Sequence, residues 1–116
     1  MSKFLQHQQN PLHFIVHKKQ VDKKKILRSS ILLDKVDLAI DQTISNYKHM
    51  LIENPKSIDF NFLKQAYLDD QLIVKNRIKK LTKTELELDI VVLKQQKNHH
   101  DIICKASIGY VFKKAS

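Results

Sequence analysis

The sequence holds one glycine, two prolines, one cysteine and no tryptophan among its 116 residues. A single glycine, Gly109, excludes phosphate-cradling loops built on repeated glycines and the G-x-S-x-G turn of serine hydrolases. A single cysteine, Cys104, excludes an internal disulfide framework and a multi-cysteine zinc site, and it fits a reducing compartment. The longest unbroken apolar run, Ile90 to Leu93, is far short of the ~20 residues that a membrane-spanning helix needs. The opening MSKFLQHQQN lacks the apolar stretch of about 7–15 residues found in a secretory signal. These features lead to the expectation of a soluble, cytoplasmic protein.

Arginine is also scarce. Of 21 basic residues only Arg28 and Arg77 are arginine, the side chain suited to bidentate contacts with phosphate and guanine. The net charge of +9 would by itself suggest a nucleic-acid binder, but the lysine-dominated composition and the lack of an aromatic-basic RNA motif weigh against one. The charge is unevenly spread. Residues 1–28 carry Lys3, Lys18, Lys19, Lys23, Lys24, Lys25 and Arg28 against one acid, Asp22. Such a cluster either attracts an anionic ligand or is a solvated loop.

What remains is one domain's worth of chain with 42% hydrophobic residues, long enough to bury roughly 65% of its unfolded surface. Residues 1–11 are glutamine-rich and read as a flexible N-terminal segment, leaving 12–116 as a single domain. Leu12, Phe14 and Val16 alternate as a strand would. After a lysine-rich loop, Ser29 and Ser30 offer N-caps. Then Leu33, Val36, Ile40, Ile44, Tyr47 and Leu51 recur at spacings of three and four, predicting one long helix over about 30–50 that Pro55 stops. Period-two patterns follow at Ile58–Phe62, about Gln71–Leu81, Glu85–Leu93 and Ile102–Phe112, with turns at Asp69-Asp70 and at Lys97 to Asp101. Strands joined by short turns pair antiparallel, and an apolar sheet face needs a cover. The expected fold is α+β, an antiparallel sheet wrapped around one long central helix.

Few side chains suggest chemistry. On the helical wheel Asp37 lies about 40° from Leu33 and about 20° from Ile44, at the edge of the apolar stripe. Asp34 and Asp41 lie further round. A carboxylate there is either a boundary residue paired with a lysine or a group with a task. Cys104 falls on the apolar face of the last strand, a core position rather than a nucleophile's. His13 and His17 on a strand stand about 13 Å apart, and His99-His100 read as a polar turn, so neither a metal nor a cofactor is expected.

Two stretches resemble the hotdog-fold acyl-CoA thioesterases. In Ile26 to Asp37, Ser29-Ser30 stand where that family has a glycine pair opening its helix, and Val36-Asp37 match its apolar-acidic pair. Ile58-Asp59-Phe60-Asn61-Phe62-Leu63, followed by Asp69-Asp70, resembles the strand after the helix and its turn. The loop asparagine and glycine of the family fall at Asp22 and Lys25. The likeness spans about residues 12–114. It implies hydrolysis of acyl-CoA to the free acid and coenzyme A. Amides of Ser29, Ser30 or Ile31 would polarise the thioester carbonyl, and Asp37 would act as general base or nucleophile. Asn61 would contribute across a dimer interface, and Lys23, Lys24 and Lys25 would meet the phosphates of coenzyme A. The implied assembly is a homodimer or a dimer of dimers. The alternative, suggested by the missing glycines, is a non-catalytic hotdog module that binds an acyl group or a protein partner.

Overall fold

The computed structural model describes residues 11–114. The segment read as loose, 1–11, lies outside the described residues but for Pro11, as do residues 115–116. One α-helix and five strands follow one another, with short 3-10 turns between some of them: β1 (Leu12–Ile15), α1 (Ser29–Ile44), β2 (Ser57–Phe62), β3 (Gln71–Leu81), β4 (Glu85–Gln95) and β5 (His100–Val111). The strands form one antiparallel sheet in the order β1-β3-β4-β5-β2. The α+β expectation therefore holds, and α1 covers one face of the sheet.

Alternation sets that face. Leu86, Leu88, Ile90 and Val92 of β4 point into the core, with Glu85, Glu87 and Asp89 on the other side. Leu72, Val74 and Ile78 of β3 and Cys104, Ala106 and Ile108 of β5 join the same core. β5 breaks step once. Leu93 pairs with Ile102 while Val92 pairs with Cys104, so Ile103 is an extra residue. The bulge buries Ile103 and Cys104 side by side and leaves Ile102 on the outer face. The strict alternation expected for Ile102–Phe112 does not allow for it. β5 also begins at His100, inside the expected turn.

The helix needs three corrections. It ends at Ile44, not near residue 50, and Pro55 does not stop it. Ser45 and Asn46 are weak helix formers. The Tyr47 amide turns back to the Ile44 carbonyl at 2.8 Å, and a short 3-10 turn, Lys48–Met50, follows. The buried stripe is Leu32, Val36, Ala39, Thr43 and Ile44, whereas Leu33 is 41% exposed. Small Ala39 and Thr43 let the helix approach the sheet, and the Thr43 hydroxyl satisfies itself on the Ala39 carbonyl at 2.8 Å. A count of bulky residues alone overlooks both. Third, the N-cap is Arg28, with Ser29 already helical.

At the other end of the sheet order, β2 lies beyond the cover of α1. Ile58 and Phe62 face the helix side yet are 66% and 53% exposed. No helix among the described residues is long and apolar enough to cross a membrane.

Candidate active site

The loop before α1 is held by one carboxylate. Asp22 Oδ1 accepts the amides of Lys24 (2.8 Å) and Ile26 (3.0 Å), while its carbonyl accepts Lys25 N–H at 2.9 Å. This tight turn drives Lys25 to φ 66°, a left-handed backbone that favours glycine. The Leu27 amide then donates to the Ala66 carbonyl at 2.8 Å, tying this loop to the one after β2. The Arg28 amide is held by the Gln20 carbonyl at 2.9 Å.

Between these two loops and the first turn of α1 lies a hollow of about 770 Å³. Arg28, Ser29, Ser30 and Asp22 border it on one side, and Phe62, Leu63, Lys64 and Gln65 on the other. Leu32 and the bulged Ile103 also line it. The bulge does more than aim Ile103. The Ile103 carbonyl accepts the amides of Leu63 and Lys64 at 2.8 and 3.2 Å, which fixes the far wall.

An α-helix leaves its first amides without intrahelical acceptors and carries partial positive charge at that end. Here the Ile31 amide turns back to the Arg28 carbonyl at 3.1 Å, and Leu32 donates to the same oxygen at 3.3 Å. Ile31 is thus engaged, which removes it from the expected trio of donors. The Ser29 and Ser30 amides have no protein acceptor among the described residues, and both residues border the hollow.

The other expected residues are not brought together with them. Lys23, Lys24 and Lys25 are exposed on the turn behind Asp22 and do not line the hollow. Asp37 is exposed and lies eight residues beyond Ser29, about 12 Å along the helix axis. It occupies the side of α1 nearest Tyr110, whose phenol is pushed up by burial first and then by the Asp41 and Asp37 carboxylates. Asn61 pairs with Lys105, on the face of β2 opposite α1, and does not border the hollow. Burial raises the Cys104 thiol to about 11, so it stays protonated and unreactive at neutral pH. Among the described residues no group of three or more His, Cys, Asp or Glu side chains is placed to hold a metal ion.

Several wall residues escape a reading of the sequence, among them Arg28, which registers there only as a scarce arginine and part of the net charge, Lys64, Gln65 and Ile103. For Ile103 a signal exists, since Ile102-Ile103 sets two apolar residues in a row before the alternation resumes. For Lys64 there is none.

No protein-family model matches the chain, and no curated protein matches its sequence. Solved structures do match its shape. A hypothetical thioesterase from Streptococcus pneumoniae, determined with coenzyme A, superposes with a TM-score of 0.71 at 17% identity, covering 89% of this chain and 77% of that one. An acyl-CoA hydrolase from Staphylococcus aureus, in complex with butyryl coenzyme A and coenzyme A, gives a TM-score of 0.74 at 14% identity, covering 90% of this chain and 65% of the longer one. A 4-hydroxybenzoyl CoA thioesterase gives 0.68 at 14% identity, covering 89% and 82%. The protein has the hotdog fold.

Proposed function

We infer that the protein is an acyl-CoA thioesterase that hydrolyses acyl-CoA to a free acid and coenzyme A. The observation that carries this reading is the hollow at the start of α1, bordered by Ser29 and Ser30, whose amides have no protein acceptor among the described residues, on a fold shared with thioesterases determined with coenzyme A. A thioester carbonyl oxygen seated on the Ser29 and Ser30 amides is polarised by them and by the helix end, and both interactions strengthen as negative charge develops. Attack at the carbonyl carbon breaks the C–S bond, and the departing sulfur takes up a proton. Lys23, Lys24 and Lys25, with Arg28 at the rim, supply positive charge toward the phosphates of coenzyme A.

Asp37 is the general base for water, or the nucleophile. Within one chain it is about 12 Å from the amides, too far to serve them. A two-fold dimer joined along the open β2 edge sets two copies of α1 antiparallel and brings the partner subunit's Asp37 toward this hollow. Exposed Ile58, Phe62 and Leu63 favour such pairing, since an uncovered apolar edge strand invites a partner strand. Asn61, on that edge but on the sheet face opposite α1, contributes to the dimer contact rather than to the hollow. A homodimer or a dimer of dimers is therefore part of the reading, and sedimentation as a stable monomer at micromolar concentration would contradict it.

One observation favours a second reading. Serines stand at the first helical turn, where the resemblance has glycines, and their side chains narrow the approach to the amides. On that ground the second reading is a non-catalytic module that binds an acyl group or a protein partner. A panel of acyl-CoA substrates, assayed for released thiol alongside direct binding, separates the two. Cleavage supports the thioesterase. Binding of every member without cleavage supports the module.

A further inference from the structure

At the opposite end of α1, about 24 Å from its first turn given 16 helical residues, lies a second hollow of about 530 Å³. That volume is within the range typical of small-molecule sites, ~300–1,000 Å³. Its apolar part is made by Tyr47, Met50 and Phe112. The Tyr47 and Phe112 rings brace one another edge-on, with centroids 6.2 Å apart. Met50 is 41% exposed, a large thioether left open to solvent. The remaining wall is Thr82, His49, Lys83 and Lys113. Every ionisable side chain on it other than the Tyr47 phenol is basic, and no carboxylate lines it.

A helix C-terminus ordinarily repels anions through its free carbonyls. Here the last helical carbonyl, that of Ile44, is engaged by the Tyr47 amide at 2.8 Å, and in the turn that follows Tyr47 accepts from Met50, Lys48 from Leu51 and Met50 from Lys113, at 2.8, 3.3 and 2.8 Å. Glu85, two residues from Lys83, is held by Lys56 and Lys80. Among the described residues, positive charge thus stands over an apolar floor with no carboxylate in the wall. We propose that this hollow is a binding site for a small amphipathic carboxylate, its alkyl or aryl body on Met50, Tyr47 and Phe112 and its head between Lys83 and Lys113. The site is independent of the hydrolytic reading, which concerns the other end of the helix.

The chain's two methionines are Met1 and Met50, so a methyl-labelled sample carries its own reporter. Met50→Leu assigns the signal. Octanoate titrated into the protein, to about 20 mM as suits so small a ligand, should shift the Met50 methyl saturably. Octylammonium, with the same tail and the opposite charge, should not. Lys83→Glu with Lys113→Glu should weaken octanoate at least tenfold, while Ser30→Ala, at the other hollow, should leave the titration unchanged. An unmoved Met50 signal overturns the proposal, as does an equal response to octylammonium or full octanoate affinity in the charge-reversed variant. Loss of hydrolysis with an intact Met50 titration overturns only the thioesterase reading.

Discussion

Asn76 of β3 is 6% exposed and lies on the core face between Val74 and Ile78, opposite Ile90 of β4. Neither its amide nitrogen nor its oxygen has a hydrogen-bond partner among the described residues. A buried polar group without a partner costs about 1–3 kcal/mol, and asparagine is disfavoured in strands besides. Asn76→Val removes both penalties with a side chain of similar size, for an expected gain of about 2 kcal/mol. For a chain of 116 residues the unfolding entropy is about 0.24 kcal/mol/K, so Tm should rise by about 8 °C. Calorimetry at fixed protein concentration measures this. A fall in Tm of several degrees refutes the reasoning, since it shows that the amide is hydrogen-bonded in the folded protein and that valine leaves its partner stranded.

Lys25→Gly should stabilise by about 0.5–1 kcal/mol in a urea titration, because glycine tolerates the left-handed backbone that lysine resists there. Stability should fall as acid is added. Lys56 and Lys80 hydrogen bonds hold the Glu85 carboxyl below its ordinary 4.5, and a Gln96 hydrogen bond first, with Lys64 behind it, holds Asp101 below 3.8. A depressed carboxyl stabilises the fold above its ordinary value and loses that contribution as pH drops through the folded value. The urea midpoint should therefore decline from about pH 4.5 downward, and Glu85→Gln should flatten part of that slope. Replacing Lys23, Lys24 and Lys25 with serine should weaken coenzyme A binding and its salt dependence while leaving Tm nearly unchanged. Unaltered affinity would make them a solvated loop.

The sheet was legible where apolar residues recur with period two. The apolar face of β4 is the one that Leu86, Leu88, Ile90 and Val92 mark, and β3 matches its expected span, Gln71–Leu81, although Leu72, Ile73 and Val74 are all buried. Legibility failed where a residue acts through its size or its backbone. Ala39 and Thr43 bury because they are small enough for close approach, which a pattern of large apolar residues omits. The bulge at Ile103 depends on its pairing partners, not on β5 alone. Ser29-Ser30 were recognisable as the helix start, but only the turn-back of Ile31 onto Arg28 distinguishes engaged from open amides. Lys25 is the converse case. The family likeness sets a glycine there, and the backbone angle supplies the physical reason.

The most direct measurement of the thioesterase mechanism is steady-state hydrolysis of the best acyl-CoA substrate by the wild-type protein, Asp37→Asn and Asp34→Asn. Asn keeps the size of the side chain and removes its basicity. The mechanism predicts a loss of roughly 100-fold or more for Asp37→Asn, the scale of general-base catalysis. Asp34→Asn, one turn earlier and also exposed, should keep near wild-type turnover. Wild-type turnover in Asp37→Asn would contradict the assignment of Asp37, and a wild-type protein that binds acyl-CoA without releasing thiol would contradict the activity itself.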